Sequence, residues 1–136
     1  MAIAATVLIC DDMRVENTGK IILVGIYPGE LSILSDPSIL SQICFFVSID
    51  MPIDEIPKAI TTEITLPNQA PNVTTSEITP DIESLKKPGR RKFLFRQLVG
   101  LRNVPLSPGR IELKVRCDET EIEVATPWIV MADPTA

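Results

Sequence analysis

The sequence predicts an all-β fold, a two-sheet antiparallel β-sandwich of Ig-like or C2-like type with about eight or nine strands and one short helix. Three observations predict it. Apolar and polar residues alternate with period two from end to end, most clearly from Gly109 to Arg116. There Ile111, Leu113 and Val115 fall on one side and Arg110, Glu112, Lys114 and Arg116 on the other. Apolar residues make up 45% of the chain and are mainly Ile, Val and Leu with Thr beside them, a mix that suits a pleated surface. The 12 prolines lie mostly between the apolar runs, where a missing amide donor does no harm. With 136 residues, one domain spanning residues 1–136 is expected, long enough to bury a core without metal or disulfide staples.

The elements follow in order. Residues 6–16 and 20–27 flank Asn17-Thr18-Gly19, a short loop with glycine where a left-handed residue is needed, and form a first hairpin. The second of these runs is apolar on both faces, which predicts a central strand covered above and below. Pro28-Gly29 turns the chain, and residues 30–35 make a short continuation. In residues 41–50, Ile43, Phe45, Val47 and Ile49 share one face, with Cys44 and Phe46 on the other. Residues 52–57 read as a loop. In residues 59–66, Ile60, Thr62, Ile64 and Leu66 face inward, and residues 73–79, rich in Thr and Ser, suit an edge. Thr79 as N-cap, Pro80 at the first helical position, Asp81 and Glu83 early, Lys86 and Lys87 late, and Pro88-Gly89 as the stop make one helix of at most two turns. A long strand over 92–104 places Phe93, Phe95, Val99 and Leu101 on one face. The strand that starts at Gly109 then returns through Glu121–Val124, and Trp128 and Val130 finish the sheet. Keeping the apolar residues of this last hairpin on one face sets Val115 opposite Ile122 and Leu113 opposite Val124, with Asp118-Glu119 as the loop. Arg116 then faces Glu121 and Lys114 faces Glu123 across the strands.

Composition narrows the function. A net charge of −5 argues against general nucleic-acid binding, which depends on neutralising phosphates, and against a membrane-surface role. No apolar run approaches the roughly 18 residues of a membrane-spanning helix, so a cytoplasmic location is expected. There is no histidine, which removes His-based triads and the usual nitrogen ligand of zinc. Cys10, Cys44 and Cys117 each sit in or at the end of a strand pattern and read as structural thiols. Cys10 beside Asp11 lacks the cation or base that would activate a thiolate. Tyr27 and Trp128 read as core or rim packing. Neither catalytic residues nor metal ligands nor a cofactor are assigned.

The run Cys10-Asp11-Asp12-Met13-Arg14-Val15-Glu16, then Gly19-Lys20, then Leu23-Val24-Gly25-Ile26-Tyr27, resembles the opening of a family of small bacterial and phage proteins known only as a domain of unknown function. The resemblance implies a compact, mainly-β domain and carries over no catalytic residue.

Three groups of residues are candidate sites. Asp12, Arg14 and Glu16 share a face of the first strand and form either a charge ladder that holds the hairpin or an exposed binding strip. Asp12 and Glu16 stand roughly 13 Å apart at about 3.3 Å per residue, beyond the roughly 5–9.5 Å of paired glycosidase carboxylates. Lys86, Lys87, Arg90, Arg91 and Lys92 are the one dense basic cluster of an acidic chain and could dock an acidic protein surface. Asp50, Asp54, Glu55, Asp118 and Glu119 could supply oxygen ligands to calcium if the topology joins their loops. The expected function is a non-enzymatic protein-protein interaction or assembly module that presents loops or an edge strand to another protein or to itself. The alternatives are a phage virion subunit, capsid-decorating or tail-associated, and a calcium-binding C2-like module or carboxylate-dependent hydrolase.

Overall fold

Among the described residues, eleven strands and one 3-10 turn (Ile53–Glu55) follow one another. The computed structural model describes residues 3–79, 89 and 91–132. Strands β1 (Ala4–Val15), β2 (Ile21–Ile26), β4 (Ser38–Pro52) and β7 (Lys92–Leu106) form one four-stranded sheet in the order β2-β1-β4-β7. Strands β5 (Ala59–Thr65), β6 (Asn72–Glu77), β9 (Glu112–Cys117) and β10 (Thr120–Val124) form a second, in the order β10-β9-β5-β6. Both are antiparallel throughout. A third sheet joins β3 (Leu31–Ile33), β11 (Trp128–Met131) and β8 (Gly109–Arg110), with β11 parallel to β3 and antiparallel to β8.

One apolar core draws on all three sheets. Ile9, Phe45, Val47, Ile49 and Met51 come from the first, Ile60, Ile64, Leu113, Val115 and Val124 from the second, and Leu31, Ile33 and Ile129 from the third. Each set repeats at every second position of its strand, as a pleated face requires. Two polar side chains share this interior. Gln97 on β7 is only 4% exposed, and its Nε2 donates to Ser76 Oγ on β6 at 2.9 Å, a bond between the first and second sheets. Thr62 is wholly buried on β5.

Alternation in the first sheet changes phase along a transverse line. In β7 the odd positions Phe93, Phe95, Gln97, Val99 and Leu101 face the core, whereas beyond Asn103 the even positions Val104 and Leu106 do. Asn103 stands at φ 52°, a left-handed residue at the point where the phase changes. In the first hairpin the Glu16 amide donates to the Lys20 carbonyl and the Tyr27 amide to the Ile9 carbonyl, at 2.8 and 2.9 Å. Residues 20 and 27 have opposite parity, so one regular ladder cannot hold both bonds. The change falls at Gly25, φ 70°.

Several expectations hold and several need correction. The last hairpin has the expected register, with Ile122 opposite Val115, Val124 opposite Leu113, Glu121 opposite Arg116 and Glu123 opposite Lys114. The ion pairs nevertheless leave the register: Glu121 approaches its diagonal neighbour Lys114 at 3.9 Å, and Glu123 takes Arg110 of β8 at 2.8 Å. Long side chains reach such diagonal neighbours readily. β6 is an edge, as its Thr and Ser content implies. β2 is not central. It is an outer strand of its sheet, and its double-sided hydrophobicity therefore leaves Ile22, Val24 and Ile26 exposed. The run from Gly109 to Arg116 is not one strand but breaks at Ile111, where the chain passes from the third sheet to the second while Ile111 stays buried. The predicted loop 52–57 contains the 3-10 turn Ile53–Glu55. The predicted helix over 79–87 lies, apart from Thr79, outside the described residues.

Truncation of the core centre tests this packing. Phe45→Ala should cost about 3–5 kcal/mol in urea unfolding, whereas Val73→Ala on the exposed face of β6 should stay within about 0.5 kcal/mol. Equal effects would mean that the core is not where these faces put it.

Candidate functional site

The motif residues of the first hairpin converge on the phase change. With no side chain at Gly25, the Asp11 carboxylate lies directly over its backbone, and an added Cβ would stand 2.9 Å from Asp11 Cγ. From there Asp11 Oδ1 accepts the phenol of Tyr27 at 2.6 Å. Burial, reinforced by this bond and the Asp11 charge, pushes the Tyr27 phenol up to about 12. Asp12 turns the other way and accepts from the Met13 amide at 2.9 Å and from Gln42 Nε2 at 3.0 Å. Partial desolvation acts to raise its carboxyl, but the bonds from Gln42, Met13 and Arg14 outweigh it and hold the group below the usual range.

Cys10 and Cys44 stand opposite each other in the β1–β4 register, both buried, and Gln42 Nε2 also approaches Cys44 Sγ at 3.1 Å. Burial, then the neighbouring Cys44, pushes the Cys10 thiol up, with further upward contributions from Asp11 and Asp12, although a bond to the Asp12 carbonyl lowers it in part. Cys117 is likewise raised, by burial and by Asp118. Both thiols are therefore protonated at neutral pH, which suits packing and works against nucleophilic chemistry.

Tyr27 leads into a groove of about 410 Å³ bordered by Val7, Leu8 and Ile9 of β1, by Pro28, Gly29 and Glu30, and by residues 125–128. The chain's one tyrosine and one tryptophan thus meet at a single cleft. Trp128 is 54% exposed there. Its distance along the chain from Tyr27 hides this meeting from sequence reasoning. A detectable signal is the Pro28-Gly29 turn, which takes β2 away from β1 just above Val7.

The predicted site residues are distributed as follows. Arg14 Nε lies 3.4 Å from Asp12 Oδ2, with Arg14 exposed and Asp12 half-buried. Glu16 takes part in the turn through its backbone. Lys92 pairs with Asp50 across β7 and β4 at 3.4 Å, and the Arg91 carbonyl accepts the Ile53 amide at 3.1 Å. Lys86, Lys87 and Arg90 lie outside the described residues. Glu55, Asp118 and Glu119 do border one open cleft, together with Lys58. Asp118 Oδ1 there accepts the Lys58 amide at 3.2 Å, and the described residues contain no group of three or more side chains able to hold a metal ion.

A family model described as "Family of unknown function (DUF6941)" matches residues 5–129. The chain belongs to this family. No curated protein and no solved structure matches it. The match runs from β1 to β11 and so takes in the Asp11-Gly25-Tyr27 constellation and both walls of the groove.

Two measurements check the constellation. Gly25→Ala should cost about 1–3 kcal/mol, because it forces an alanine into a left-handed conformation against Asp11, and chemical denaturation reads the loss. As the only tyrosine, Tyr27 can be titrated alone by its phenolate absorbance, with a midpoint near pH 12 that moves down in Asp11→Asn. Since the folded value lies above the unfolded 10.0, this contribution to stability is complete below pH 10 and is lost as pH rises through 12. A midpoint at 10 in the folded protein would mean that the Tyr27–Asp11 bond does not form.

Proposed function

We propose that this protein is a non-enzymatic interaction and assembly module, a β-sandwich whose layers are the two four-stranded sheets, and that it associates through the free edge and outer side of β2. The interior shared by both sheets supports the sandwich reading. One observation carries the function: β2 is an outer strand that is apolar on both sides. Ile21 and Leu23 are half-buried and share a crevice with Phe46 and Arg96, while Val24 is 46% exposed on the opposite side and Ile26, beyond the phase change, is exposed as well. Edge strands that must stay single carry charges, prolines or covering loops, and Ile21–Ile26 has neither charge nor proline.

A second copy suits this edge. Two β2 strands related by a two-fold axis pair antiparallel, extend the sheet and bring the same apolar row together from both sides.

Sedimentation tests the proposal. The wild-type chain should associate with rising concentration, and Val24→Lys should shift the equilibrium at least about tenfold toward monomer, since it buries a charge at the interface. A wild-type chain that remains monomeric at millimolar concentration would overturn assembly through β2.

A further inference from the structure

The geometry points to a peptide-binding groove beside β1: we infer that the cleft between Val7–Ile9 and Trp128 accepts an extended, apolar segment of another polypeptide that carries a lysine or arginine, paired as a short strand to the β1 backbone. This site is separate from the β2 edge and does not depend on it.

The inference starts from how β1 divides its neighbours. Residues 4–10 pair with β4, whereas β2 pairs with residues 10–15 on the opposite side. The last bond of the β1–β2 ladder is the Tyr27 amide to the Ile9 carbonyl. Amide and carbonyl of one residue in an antiparallel strand point the same way, and the direction alternates. Ile9 therefore directs its backbone to the β2 side, and so does Val7, two residues below. The next bonds of that ladder would join Val7 to Gly29, but Pro28-Gly29 carries the chain off toward β3. Among the described residues no strand pairs with β1 on this side below Ile9. The space that the departing strand leaves is the groove itself.

The walls select the occupant. Tyr27 and Trp128 offer aromatic surface to alternate side chains of an extended peptide, and the tyrosine is held by Asp11 at 2.6 Å. Glu30 is the one charged residue on the lining, so a basic side chain finds a partner and an acidic one is repelled. Main-chain pairing to Val7 supplies the recognition that an apolar cleft alone lacks.

The probe is an acetylated, amidated pentapeptide of alternating valine and threonine with one lysine, added to the full chain. Trp128, the only tryptophan, reports binding by its fluorescence, and the exchange rate of the Val7 amide reports pairing. Saturable quenching or a blue shift, with slowed exchange at Val7, supports the site. The same peptide methylated at the amide nitrogens that face β1 should bind about tenfold more weakly, and Glu30→Gln should weaken the parent peptide about threefold. Val24→Lys should leave binding unchanged, which separates this groove from assembly through β2. No response of Trp128 or Val7 at about millimolar peptide, with the protein folded, would overturn the inference. Equal binding of the methylated peptide would overturn it too, because the cleft would then take apolar groups without adding a strand.

Discussion

The phase change in the first sheet is the constraint from which the rest of the molecule follows. A sheet whose inward positions kept one parity throughout could not bury both Leu101 and Val104, three residues apart on β7. Left-handed residues at Gly25 and Asn103 allow the inversion, and each is of a type that adopts this conformation at low cost. Gly25 performs a second task, because its missing side chain is the space that the Asp11 carboxylate occupies on its way to Tyr27. A backbone requirement and a side-chain contact are thus met by one residue type at one position.

Polar groups link the sheets across and around the core. Gln97 reaches from β7 to Ser76 on β6, a charge-neutral link through the core. Thr126 Oγ1 donates to the carbonyl of Ile111, the residue at which the chain crosses from the third sheet to the second. At that crossing the backbone leaves one ladder before it joins another, so its carbonyl needs a partner from elsewhere. In the first sheet the buried thiols of Cys10 and Cys44 donate to the carbonyls of Asp12 and Asp11, at 3.4 and 3.8 Å.

Where local chemistry decides the structure, the sequence was readable. The last hairpin is specified three times over, by its apolar face, its opposed charges and its two-residue loop, and its register is the one expected. Asn17-Thr18-Gly19 is equally explicit, with Gly19 at φ 86°. Neighbour choice was not readable in the same way. A strand that is apolar on both sides can be central or can be an edge, and Ile21–Ile26 is an outer strand of its sheet. Sheet switching at Ile111 is hidden because the alternation of the two short strands continues unbroken across it. Phase changes are hidden too, since Asn103 and Gly25 also serve in ordinary strands and only their φ angles reveal the inversion. The groove escaped notice because its walls, Tyr27 and Trp128, are joined only by the third sheet.

The edge and the groove arise from the same event. β2 is short because Pro28 lacks the amide that a continuing strand would use and Gly29 turns the chain away. Had the strand run on, it would have paired with Val7, covered Leu8 and filled the space in front of Trp128. Among the described residues its early departure leaves half of β1 with one neighbour: β10 comes near β1, yet the two share no ladder. An open strand edge inside a cleft differs from an open edge on a flat surface, because walls beside it limit what can reach the backbone. A protein that kept β2 apolar and exposed while enclosing the lower half of β1 would therefore hold two binding modes apart, broad association at the first and selective capture of an extended segment at the second.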